Sequence, residues 1–187
     1  MAKVDLNPSL TRIRGRIENL VYRRTIRGIA LSGRPAPRTT PPSAAEVDVR
    51  QRFSAAAAYA KALLNDPVQR PRYVAAAKTK LLPVFALAMS DFLKPPVVQG
   101  IDIGGYRGAI GDVIKVSAYH VFEVLGVKVV IRDVGGVVLE QGAAVLTEGQ
   151  WRYTATTAIA AGVAFTAEAV ATDRPGHTGS LTVPLTE

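Results

Sequence analysis

The sequence predicts an α+β protein in three parts: an extended basic N-terminal arm with a Pro-rich linker over residues 1–42, a two-helix segment over 43–94 and an antiparallel β-sandwich over 95–187. Three observations carry this. Arginine crowds the start of the chain, apolar residues recur at three- and four-residue spacing in the middle, and short alternating runs bounded by Gly, Asp and Pro fill the end. A hydrophobic fraction of 48% against 20% charged residues is that of a chain with a core.

The arm reads "TRIRGRIENLVYRRTIRGIALSGRP" over residues 11–35, with seven arginines. Val21, Arg23, Thr25 and Arg27 alternate with Tyr22, Arg24, Ile26 and Gly28, so a strand here shows arginine on both faces. Such a strand suits a surface groove or the sheet edge of a neighbouring subunit. The residues expected at that contact are Arg14, Arg16, Leu20, Tyr22, Arg23, Arg24, Ile26, Arg27 and Ile29. Four prolines in residues 32–43 then make an extended connector. Charge divides with the parts. Residues 1–94 hold 17 Lys and Arg against 6 Asp and Glu, a net of +11, and residues 95–187 hold 6 against 9, a net of −3. This asymmetry points to a polyanion or to complementary contact between copies.

Ser43 and Glu46 match a capping box, so a helix starts there. Phe53, Ala57, Ala60 and Leu64 form its apolar stripe, and Asn65 to Pro67 end it. A second helical pattern runs from about Pro71 to Leu93 with Tyr73, Ala77, Leu81, Phe85, Ala88 and Phe92 on one stripe, and Pro83 must kink or split it. These aromatics read as core. Pro95 and Pro96 close the helical segment.

From Val97 the runs "VIKVSAY", "EVLGVKVVIRD", "GVVLEQGAAV", "QWRYTAT", "VAFTAEAVATD" and "GSLTVPL" predict six to eight strands at sandwich spacing. Trp151, Tyr153 and Ala155 share one face; Val163, Phe165, Ala167, Ala169 and Ala171 share another. Opposed, these rows make a core, with Trp151, Tyr153 and Phe165 as its large members.

The succession from "GDVIKVSAYHVF" to "GQWRYTATTAIAAGVAFTAEAVATDRPGHTG" resembles the bacterial immunoglobulin-like repeats of surface and virion proteins. There a "W-x-Y-T-A" strand is followed by one ending "A-x-D-x-x-G-N-x-G"; here His177 stands in place of the asparagine. The likeness covers about residues 105–184 and implies an Ig-like sandwich. Arg50, Phe53, Ala56, Tyr59 and Ala60 give the first half a looser likeness to bacterial proteins that open with a glycine-punctuated basic segment, and it implies only a shared layout.

Chemistry is sparse. With no cysteine there is no disulfide, thiolate metal site or cysteine nucleophile. His120 and His177 sit in no catalytic or metal motif and read as structural. "GGYRGAIGD" lacks the spacing and the lysine of a phosphate loop. Asp102, Asp112, Asp133 and Asp173 fall at strand ends, where calcium-binding relatives of the fold carry carboxylates, yet turns recruit Asp for their own hydrogen bonds. The expectation is therefore a non-enzyme with no catalytic, cofactor or metal residues.

"MAKVDLNPSLTRIR" has no apolar run of a secretory signal, which suggests synthesis in the cytosol. "TAIAAGVAFTAEAVAT" is broken by Gly162 and Glu168, which suggests no membrane insertion. The leading expectation is a structural subunit that assembles with copies of itself into a filament, shell or phage-like virion component. Nucleic-acid binding through the arm is the alternative, and a surface adhesin or glycan-binding module the second.

Overall fold

Prolines in residues 32–43 remove amide donors that a ladder or helix needs. The computed structural model divides just past them into two compact units, Met1–Ala44 and Ala45–Glu187. It describes residues 2–3, 15–25, 28–37, 39–159 and 164–185.

The first unit is a small antiparallel sheet in place of the expected extended arm. Its strands are β1 (Ala2–Lys3), β2 (Gly15–Ile17), β3 (Leu20–Thr25) and β4 (Gly28–Gly33), in the order β1-β4-β3-β2. Pairing inside the arm satisfies amides and carbonyls that a lone strand leaves to water. Glu18 enters the two-residue β2–β3 turn with φ 50°, and Arg34 N–H donates to Asn19 O at 2.7 Å.

Among the described residues the helices number three: α1 (Ala44–Asn65), α2 (Arg70–Lys80) and α3 (Val84–Leu93). The long second pattern is split, as Pro83 requires. Leu81 turns left-handed (φ 52°), and the amides of Leu81 and Leu82 close onto the carbonyls of Lys78 and Ala77, a Schellman stop with leucine where glycine is usual. The break rotates the stripe. Tyr73, Ala77 and Ala88 are buried as expected, but Leu81 is 74% exposed and Phe85 39% exposed, while Leu87 and Met89 enter the core. On α1 the buried residues are Ala56, Ala60 and Leu63, and Phe53 lies 57% exposed.

Seven strands follow: β5 (Val97–Asp102), β6 (Val113–Tyr119), β7 (Val124–Asp133), β8 (Val138–Thr147), β9 (Gln150–Thr154), β10 (Phe165–Asp173) and β11 (Thr178–Leu185). They form one antiparallel sheet in the order β11-β10-β7-β8-β9-β6-β5, curled nearly into a barrel. The turn is made within β8, whose first part pairs with β7 and whose last three residues pair with β9. β5 and β11 lie alongside each other, so closely that a Cβ on Gly179 would collide with the Pro96 carbonyl.

The core inside the curl draws on alternate residues. β10 buries Phe165, Ala167, Ala169 and Ala171, and opposite them stand Ile114, Val116, Tyr153 and Ala155. Trp151 is only partly buried at the margin of this core, and Val163 lies outside the described residues. Two hairpins carry the same chemistry. Asp133 Oδ1 accepts from Val137 N–H at 2.8 Å and Asp173 Oδ1 from His177 N–H at 2.6 Å, each with a left-handed glycine, Gly136 or Gly176, before the last residue.

Candidate functional site

Two places gather side chains beyond what folding alone asks of them. The first is the N-terminal sheet. Residues directly opposed in a ladder share a face, and the register pairs Ile17 with Leu20, Tyr22 with Leu31 and Arg24 with Ile29. One face therefore carries Ile17, Leu20, Tyr22, Ile29 and Leu31, with Arg24 at its end. The other carries Arg16, Val21, Arg23, Ala30 and Ser32. Alternation in β3 does separate Arg23 from Arg24 as expected. What it could not give is the neighbours: β2 and β4 add isoleucine and leucine beside Leu20 and Tyr22. Ile17 is 56% and Leu20 41% exposed, and no described residue of this unit is buried. Arg14, Ile26 and Arg27, also expected at a contact, lie outside the described residues.

The second place is a polar seam where the helices meet one end of the curled sheet. Phe122, in the β6–β7 loop, stacks on Tyr73 at 3.9 Å, and His177, in the β10–β11 turn, sets Phe92 at its ring edge at 5.2 Å. Beneath them Asp91, wholly buried in α3, accepts at Oδ2 from the hydroxyls of Tyr73 (2.5 Å) and Tyr59 (3.0 Å). Burial pushes the Asp91 carboxyl above the usual carboxylate range, outweighing the two hydroxyls that pull it down. The same burial pushes Tyr59 up to about 12 and Tyr73 higher still.

His120 follows β6 and is 6% exposed. Its Nε2 lies 2.7 Å from Lys94 O; a carbonyl only accepts, so Nε2 carries the proton. Nδ1 then accepts from the amides of Phe122 (3.4 Å) and Glu123 (3.3 Å), with Asp91 Oδ1 at 3.5 Å. Asp173 Oδ2 stands 3.7 Å from Nε2 and 3.1 Å from His177 Nδ1. The sequence shows no motif around either histidine; docking brings Asp91 and Asp173 beside His120, and the β10–β11 turn sets Asp173 beside His177. Both nitrogens of His120 are engaged with backbone, so the ring holds two layers together. At the rim Glu123 accepts from Arg72 (2.9 Å) and Arg174 (2.7 Å), and this contact raises the Arg174 guanidinium further.

Beside the seam lies a cleft of about 330 Å³ lined by Tyr59, Ala62, Leu63, Asp66, Gln69 and Arg174. Gln69 Oε1 and Arg174 Nε are buried without hydrogen-bond partners.

Inside the sheet Glu140 is 5% exposed. Its Oε1 accepts from the amide and the hydroxyl of Thr156 and from the Thr157 amide. Burial pushes this carboxyl up, but those donors win and hold it below its ordinary value.

The strand-end aspartates serve turns. Asp102 accepts from Gly104 N–H at 3.0 Å, and Asp112 from the amides of Arg107 (2.7 Å) and Ala109 (2.9 Å), which lowers the exposed Asp112 carboxyl. Among the described residues no group of three or more His, Asp or Glu is arranged to hold a metal ion, and no helix is long and apolar enough to cross a membrane. No protein-family profile matches this chain, and no curated protein matches it.

Proposed function

We propose that this chain is a non-enzymatic building block of a homo-assembly, a filament, shell or virion component, in which a second copy covers the apolar face of the N-terminal sheet. The observation that carries this is the register gathering Ile17, Leu20, Tyr22, Ile29 and Leu31 on one side of a sheet with no buried residue among those described. A sheet needs a covered apolar face to be stable. Full burial of such a side chain is worth roughly 1.5–3 kcal/mol relative to exposure, and half-exposed residues leave much of that unrealised. Charge favours another copy as the cover. Residues 1–44 hold nine Lys and Arg against two Asp and Glu, a net of +7, whereas residues 95–187 carry a net of −3.

In this reading the C-terminal sheet is an immunoglobulin-like scaffold. Its support is strand order: β5-β6-β9-β8 and β7-β10-β11 correspond to the two sheets of a constant-type immunoglobulin domain.

Sedimentation velocity of the full chain over a range of concentrations tests the assembly. Leu20→Asp and Leu31→Asp should each dissociate it, while Arg16→Gln on the other face should not. If both aspartate variants sediment like the parent, the reading is wrong. Arg16 and Arg23 on the polar face support a second reading, a polyanion contact. Its mark is affinity for a single-stranded oligonucleotide that falls steeply between low and moderate salt.

A further inference from the structure

Asp91 and His120 meet in the seam with two acceptors turned toward each other. Nε2 of His120 donates to Lys94 O at 2.7 Å, and Nδ1 accepts the amide protons of Phe122 (3.4 Å) and Glu123 (3.3 Å), so Nδ1 itself carries no proton. Asp91 Oδ1 stands 3.5 Å from that bare nitrogen, buried and without a hydrogen-bond partner, while Oδ2 accepts both tyrosine hydroxyls. An ionised Asp91 would set a charged oxygen against a nitrogen lone pair in a low-dielectric layer, where such conflicts are costly. A proton on Oδ1 removes the conflict. The carboxylic acid then donates to Nδ1 through Oδ1 and accepts from Tyr59 and Tyr73 through its carbonyl oxygen Oδ2, so every polar atom of the pair has a partner.

The surroundings offer little to steady a charge on Asp91. Tyr59 on α1 and Tyr73 on α2 face it with neutral hydroxyls. From the sheet end come His120, Asp173 and His177. Asp173 has Oδ2 at 3.7 Å from His120 Nε2 and at 3.1 Å from His177 Nδ1, and its carboxylate works with burial to push the Asp91 carboxyl up. The cations Arg72 and Arg174 are held at the rim by Glu123. Asp91 belongs to α3 and His120 to the β6–β7 loop, so a bond between them ties the helices to the sheet. We propose that the Asp91 proton is a latch: held between Oδ1 and His120 Nδ1 it fastens the helical layer to the end of the sheet, and its loss as pH rises releases that layer before the sheet itself opens. The sign follows from linkage. A carboxyl raised in the closed state stabilises that state fully below its ordinary value of about 4, and the stabilisation is lost as pH rises through the closed-state value.

Two measurements on the full chain from pH 4 to 9 test the latch. Carboxyl carbon and imidazole nitrogen NMR should show Asp91 ionising above the ordinary carboxylate value, with His120 Nδ1 resonating as an unprotonated ring nitrogen while Asp91 is still an acid. Amide hydrogen exchange, corrected for the intrinsic effect of pH, should show protection in α1, α2 and α3 falling by up to about tenfold for each pH unit above the Asp91 titration, with β7 and β10 unchanged. Asp91→Asn presents the donor and acceptor of the protonated acid, its Nδ2–H to His120 Nδ1 and its carbonyl to the tyrosines. It should hold helix protection at the low-pH level of the parent across the whole range. A proton on His120 Nδ1 below the Asp91 titration, no Asp91 titration within the range, helix protection that follows the sheet, or an Asp91→Asn variant unprotected in the helices at every pH would each overturn the assignment.

Discussion

The Tyr73 hydroxyl donates a 2.5 Å hydrogen bond to Asp91 Oδ2, joining α2 to α3 inside a layer where both side chains are wholly buried. Truncating Asp91 to alanine removes the acceptor shared by two tyrosine hydroxyls and leaves them only each other, 3.5 Å apart; a buried polar group without a good partner costs about 1–3 kcal/mol. Asp91→Ala should therefore lose roughly 2–4 kcal/mol of stability in urea unfolding. Tyr73→Phe leaves Asp91 with the Tyr59 hydroxyl, so its loss should be clearly smaller, near 1 kcal/mol.

Asp91 and Glu140 impose opposite pH slopes. Burial raises the native pKa of Asp91, so the folded chain holds that proton longer than the unfolded one. The contribution of Asp91 is full below the unfolded carboxylate pKa, about 4, and is lost as pH rises through the higher native value. Glu140 is lowered, so its contribution is present above its ordinary value and is lost as pH falls through the native one. Urea midpoints from pH 3 to 8 should show Asp91→Asn flattening the first slope and Glu140→Gln the second. Parallel profiles for all three proteins would refute this assignment.

Leu81 holds a left-handed backbone on the surface, a conformation costing roughly 1–2 kcal/mol in an L-residue with a side chain. Glycine removes the strain but frees the unfolded chain by about 0.5–1 kcal/mol. Leu81→Gly should stabilise by about 0.5–1 kcal/mol net, read as a higher thermal midpoint.

Gly142 on β8 faces the Tyr153 ring, whose Cε2 would lie 2.7 Å from any Cβ placed there. Gly142→Ala must move a buried aromatic ring and should cost about 1–3 kcal/mol. Pairing it with Tyr153→Leu should recover part of that loss, and a simple sum of the two single costs would contradict the contact.

The sheet was legible because alternation and turn chemistry agree. Val113–Tyr119 is the strand that "VIKVSAY" announces, and Asp133 and Asp173 fix their hairpins through their own carboxylates. The phase of α1 was not legible, since "SAAAAYA" is apolar on every side and Phe53 falsely anchors the stripe. At Leu81 a leucine adopts the glycine conformation, which no propensity announces. The seam was invisible because Asp91, His120 and Asp173 lie far apart in sequence and meet only through docking. One sign of it was present: in "VFALAMSDFL" a single charged residue interrupts an apolar helix, and such a residue needs a buried partner.

The first and last strands of the curled sheet lie side by side. Unpaired strand edges template aggregation, and β5 and β11 shield one another from that role. The N-terminal sheet differs: among the described residues β2 pairs with β3 alone. In the proposed assembly, strand-by-strand growth would draw on the N-terminal sheet rather than on the edges of the curled one.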